Sequence, residues 1–178
     1  MPSTTSASQK ALWQVPLKYG LIGATLNGVL FLVLYWLGEN PLTVAGPFDF
    51  SFIIVPLMIY FSLREFKSYH NQGELRFWQG LAAGFVCYFV LAITFAVLLY
   101  FFLEYLDASI LEGYKQNRLE LLRQNQAPMT DQFGAAAYNE QVSKTEQTSS
   151  YIKALDDFWK KLIIGLLLAI PISVILRK

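Results

Sequence analysis

The chain has 178 residues, of which 54% are hydrophobic and 15% charged, whereas a soluble domain carries about a quarter charged residues. A net charge of +1 creates no overall field toward nucleic acid or an acidic substrate. The single cysteine, Cys87, and single histidine, His70, exclude an internal disulfide, a thiolate metal cage and any site that needs two imidazoles from one chain.

The apolar residues come in blocks, and uncharged apolar runs of this length require a non-aqueous solvent. Residues 1–16 are small and polar, lack the arginines of a mitochondrial presequence, and are expected to form a disordered tail ending at Trp13–Pro16. Residues 17–37 form the first expected span, with Lys18 at its edge. At 1.5 Å per residue it covers roughly 30 Å, the hydrocarbon thickness. Gly38-Glu39-Asn40-Pro41 is not a small-residue cleavage site, so a retained signal anchor is expected rather than a cleaved signal peptide.

A turn-rich connection leads to the second expected span, 48–63, where Asp49 is placed to cap the helix start and Pro56 to kink it. This span is short, and a re-entrant segment is the alternative on length. A charged loop, Arg64 to Arg76, precedes the third span, 78–103. The fourth is 160–176, followed by Arg177 and Lys178.

Residues 104–159 form the one sizeable extramembrane segment. Leu106, Ile110, Leu111, Tyr114, Leu119 and Leu122 recur at helical spacing, which predicts that the third helix continues as an amphipathic extension to about Asn125. Tyr151, Ile152, Leu155 and Phe158 repeat the pattern before the fourth span. Residues 125–150, rich in Gln, Ser and Thr with Pro128 and Gly134, read as a loop, with or without a short helix. The fold class is therefore all-α: four transmembrane helices in a bundle, with a helical hairpin between the third and fourth.

The connection 39–49 contains no Lys or Arg, while Lys10, Lys18, Arg64, Lys67, Arg76, Arg177 and Lys178 fall on the other side. The positive-inside rule then places both termini in the cytoplasm and 104–159 in the periplasm. Lys160 and Lys161 oppose this assignment, but the first hairpin usually dominates.

Small residues recur four apart: Gly20, Ala24 and Gly28 in the first span, Gly80 and Gly84 in the third, and Gly165, Ala169 and Ser173 in the fourth. Such stripes let helix backbones approach where lipid removes the hydrophobic drive, within one bundle or between copies in a homo-oligomer. Asn27, mid-span, is a polar contact expected to bond to another helix. Arg64, Lys67 and Arg76 form a basic rim that either sets topology or meets anionic lipid headgroups. The span interiors carry no charge by this reading, which disfavours pumps and ion-coupled carriers. No motif for phosphate, dinucleotide or metal is present, and no acid, base and nucleophile set. Catalysis, a cofactor, a metal and a nucleic-acid partner are accordingly not expected.

Lys18-Tyr19-Gly20-Leu21-Ile22-Gly23, then Tyr60-Phe61 with Arg64, then Gly73, Phe77, Gly80 and Gly84, then Gly165 and Ile175-Leu176-Arg177-Lys178 occur in a telling order. In that order the chain resembles a family of uncharacterised membrane proteins from Bacteroidota, domain of unknown function 4199, over roughly 15–178. The resemblance implies four helices and a bacterial inner membrane, and brings no activity or site residue. The stretch 135–150 is more polar than that family's pattern. The expected role is a non-enzymatic structural or accessory membrane protein that engages a partner, the alternative being a carrier or channel-like module for a neutral solute or lipid.

Overall fold

The computed structural model describes the chain at 3–44 and 51–177, with side chains from 9 and, after the gap, from 52. No strand occurs among the described residues. The first helix, α1, runs Ser3–Trp36. The expected tail is therefore helical from residue 3. Its Ala11 and Val15, one turn apart, are buried in a cluster with Phe66 and Leu75. Packing of that face offsets the hydrogen bond that Pro16, inside the helix, cannot make. At its end Gly38 adopts φ 82°. The Gly38 and Glu39 amides donate to the Tyr35 and Leu34 carbonyls, a glycine stop that satisfies the last carbonyls.

One helical turn, α2 (Pro41–Val44), follows. Asn40 Oδ1 accepts from the Leu42 amide at 3.0 Å, and proline occupies the first helical position, where its missing N–H is not needed. Then comes α3, Ser51–Glu65, 15 residues long and continuous through Pro56. Positions 48–50, including the Asp49 cap, lie outside the described residues. Ile54, Val55, Met58, Ile59, Ser62 and Leu63 are all buried, a pairwise four-residue repeat that gives α3 one wide packed face. A π-helical turn at Phe66–His70 carries the chain toward α4, Phe77–Phe101.

A second π-helical turn, Phe102–Leu106, ends at Asp107 in an extended conformation. The third helix thus does not run on to Asn125. A separate helix, α5 (Ser109–Gln124), starts after the break, because Asp107 Oδ1 takes the Ser109 amide and hydroxyl at 2.9 and 2.6 Å. The expected loop 125–150 is instead largely helical: α6 covers Gln126–Glu146 with a kink at Gly134 (φ 85°). Polar side chains forbid neither outcome, since Gln, Lys, Glu and Ala are good helix formers. The last helix, α7, is Ser150–Leu176, capped by Ser149.

Three stretches, Gln9–Trp36, Phe77–Leu106 and Ser150–Leu176, are long and apolar enough to cross a membrane. At about 22 Å, α3 is shorter, but it packs against α1, α4 and α7. Residue pairings fix the directions. Gly23 meets Met58 while Lys18 meets Glu65, so α1 and α3 are antiparallel. Gly20 meets Val90 and Gly28 approaches Leu98, so α1 and α4 run together. Gly80, Gly84 and Tyr88 meet Ser173, Ala169 and Gly165 in turn, so α7 runs against α4.

Candidate functional site

The closest helix contact sets the frame. A methyl group on Gly80 would lie 2.9 Å from Ser173 Oγ, one on Gly84 would lie 3.2 Å from Ala169 Cβ, and one on Gly165 would overlap the Tyr88 ring. Two four-residue stripes from different helices thus interlock in antiparallel register. Only the α-hydrogen of glycine permits that separation. Tyr88, 1% exposed, fills the space over Gly165.

On α1 the packed face differs from the expected stripe. Gly20 would meet the Cys87 carbonyl at 2.7 Å, and Gly23 would meet Leu91 and Met58 at 2.5 and 2.8 Å, whereas Gly28 has only Leu98 at 3.9 Å. Ala24 is fully buried. The tight face is therefore Gly20, Gly23 and Ala24. A four-residue stripe drifts round a 3.6-residue helix, and Gly28 has left the contact.

The same face of α7 changes character toward its start. After Gly165, Ala169 and Ser173 in one direction come Lys161, Asp157, Lys153 and Ser150 in the other. Lys161 is 1% exposed. Its ammonium donates to both Asp157 oxygens at 2.6 Å and lies 4.4 Å from the Phe95 ring centroid. One turn earlier, the Phe158 ring meets Phe89. This part of α7 thus faces the stretch of α4 from its centre to its last two turns, about 18–27 Å from the Phe77 end. Asn27, 4% exposed, lies on α1 one turn from Ala24 and Phe31. Ala24 shares a buried cluster with Phe95, and the Phe31 ring packs edge-on to it. Asn27 Nδ2 donates to the Gly23 carbonyl at 3.3 Å.

An ion pair, an aromatic face and an amide thus share one level of the interior. Sequence reading missed this, because it began the fourth span at its charged edge and counted span interiors as free of charge. The signal was present in Lys161 standing one four-residue step before Gly165, a spacing short enough to keep it on the small-residue face. Asn27, one turn from Ala24 and Phe31 near the Phe95 level, and Ser173, against Gly80, lie at different levels of the helix contact.

At the Trp36 end, α5 is held across the helices. The Tyr35 hydroxyl donates to Asp107 Oδ2 at 3.0 Å, Asn40 Nδ2 donates to the Ile110 carbonyl at 2.7 Å, and Lys153 lies 4.2 Å from the Tyr114 centroid. Ser109 and Tyr35 hold the Asp107 carboxyl below its ordinary value of 3.8.

At the other end, the three basic-rim residues have different surroundings. Lys67 Nζ donates to the Leu176 carbonyl at 3.0 Å, capping α7 with a cation at its negative end. Arg76 is exposed at the start of α4, its amide donating to Gln79 Oε1 at 3.1 Å. Arg64 is exposed in the last turn of α3. Beside it Glu65 accepts from Lys18 at 2.6 and 2.7 Å and from Tyr19 at 2.8 Å, and Lys18 holds its carboxyl below the ordinary value of 4.5. No set of His, Cys, Asp or Glu side chains able to hold a metal occurs among the described residues.

An all-helical chain with three helices of membrane-crossing length and interlocked small-residue faces belongs to the membrane-associated class. Within that class it is a member of the family described as protein of unknown function (DUF4199), which matches residues 18–178. No curated protein and no solved structure matches the chain.

Proposed function

We propose that this protein is a non-enzymatic structural or accessory membrane protein, a four-span bundle whose α5–α6 hairpin engages a protein partner. The observation that carries the reading is the filled interior, where Gly165 is closed by Tyr88, Gly84 by Ala169 and Gly80 by Ser173. In this reading α3 is the second span. Its buried face and central packing support that role, and local bilayer thinning accommodates a short span at modest cost. The up-down-up-down directions bring Lys18, Arg64, Lys67 and Arg177 to one end, which the positive-inside rule makes cytoplasmic. The resemblance to a Bacteroidota family supports placing the bundle in the inner membrane of a bacterium. Exposed Leu121 and Phe133 give the hairpin apolar surface for a periplasmic partner. The test is mild-detergent purification of the full chain with cross-linking and mass spectrometry. A stoichiometric protein partner, or a second copy, that is lost on Leu121→Glu with Phe133→Glu is expected. Recovery of bound lipid with no protein sinks the reading.

One observation favours the alternative carrier or channel-like reading. The buried Lys161 ammonium, paired with Asp157, lies over the Phe95 ring inside the helix contact, and ionisable groups at depth mark ion and substrate paths in membrane proteins. Reconstituted liposomes separate the two. Polyol-driven swelling or proton flux that disappears in Lys161→Met supports a carrier, and permeability equal to empty liposomes supports the accessory role.

A further inference from the structure

The end of the molecule that carries Lys10, Lys18, Arg64, Lys67, Arg76 and Arg177 has a cleft between α1 and α3. It has a volume of about 410 Å³ and is lined by Tyr19, Phe61, Arg64, Glu65, Ser68 and Tyr69. We propose that this cleft binds a phosphate group, with Arg64 as counter-charge and the Ser68 and Tyr69 hydroxyls as further donors.

Three features carry the assignment. First, the one carboxylate in the cleft is already satisfied: Glu65 takes Lys18 on both oxygens and the Tyr19 hydroxyl on one. Among the described residues Arg64 has no ion-pair partner, so its guanidinium remains the uncompensated charge of the cleft. A planar guanidinium matches two phosphate oxygens at once. Second, the π-helical turn Phe66–His70 adds a residue to the turn after Arg64, and π turns of this kind are frequent at functional sites. It leaves Ser68 and Tyr69 exposed beside Arg64, Tyr69 at 82%, while Phe66 is buried. Third, the cleft opens onto apolar surface. Leu57, one turn before Phe61 on α3, is exposed, and Phe61 lines the cleft itself, as a diacyl chain below a phosphate would require. Glu65 and the negative end of α3 oppose an anion. The lysine on Glu65 and the surrounding cations outweigh them at an end whose net charge is positive.

The phosphate can come from a lipid headgroup or from solution, and the experiment distinguishes the two. Native mass spectrometry of the full chain in detergent, offered phosphatidylglycerol and phosphatidylcholine, is expected to retain one phosphatidylglycerol with at least tenfold preference. Arg64→Gln is expected to lose that preference, Arg64→Lys to keep part of it, and Arg76→Gln to leave it unchanged. A thermal shift with inorganic phosphate alone, absent in Arg64→Gln and unaccompanied by lipid preference, assigns the cleft to soluble phosphate. Equal retention of phosphatidylglycerol by wild type and Arg64→Gln, or no response to either probe, overturns the proposal. Should Arg64→Gln fail to fold, the double variant Ser68→Ala, Tyr69→Phe takes its place, with weakening of several-fold expected and unchanged binding counting against the site. Lipid retention is read without any protein partner, so its outcome is independent of the accessory role proposed above.

Discussion

The Lys161 ammonium rests 4.4 Å from the centre of the Phe95 ring while Asp157, one turn back on the same helix, accepts from it at 2.6 Å. Removing the Asp157 carboxylate takes the ion-pair partner from a buried ammonium, a change that costs up to about 3–5 kcal/mol in fully buried pairs and less where one partner, as here, is partly exposed. Lys161→Met and Asp157→Leu are each expected to lower the melting temperature sharply in detergent. The double variant is expected to recover most of the loss, since an apolar pair of similar volume is often neutral. A double variant no better than the worse single would show that the pair contributes through geometry that apolar side chains cannot replace.

The interlocked stripes predict a graded response to added volume. Gly165→Ala drives a methyl into the Tyr88 ring and is expected to cost about 1–3 kcal/mol, the usual range for overpacking. Gly28→Ala, with its nearest neighbour at 3.9 Å, is expected to stay near wild type. Thermal unfolding of the two variants in one detergent checks the ordering, and equal losses would contradict the contact.

Ser173 offers the opposite case. Its hydroxyl is buried without a hydrogen-bond partner, so the side chain serves by being small. Ser173→Ala is expected to be neutral or to gain up to about 1 kcal/mol, while Ser173→Leu is expected to separate α7 from Gly80. A marked loss in Ser173→Ala would mean that the hydroxyl has a function of its own.

Asp107 gives α5 a pH dependence of definite sign. Its carboxyl lies below 3.8 when folded, so the stability it brings is fully present above that value. It is lost as the pH falls through the lower, folded value. The melting-temperature gap between wild type and Asp107→Ala is expected to be constant from about pH 5 to 8 and to shrink by about pH 3. A gap that widens on acidification would reverse the assignment.

Some of this architecture was legible in the residues alone. The apolar blocks within 17–37, 78–103 and 160–176 coincide with three helices, because the absence of charge over about 20 residues is a local property of the chain. Gly80, Gly84, Gly165, Ala169 and Ser173 were recognisable as packing positions because close helix approach requires small side chains. Other features depended on what each segment meets. The helix at 3–16 is held by Phe66 and Leu75 from distant parts of the chain. The break at Asp107 follows from Ser109 and Tyr35. Above all, sequence gave Lys161 as the edge of an apolar run, and only the antiparallel register of α7 on α4 turned it inward to Phe95. Local composition decides which segments leave water. The level at which two helices interlock decides which side chains share an interior, and that level is set by contacts between residues some eighty positions apart.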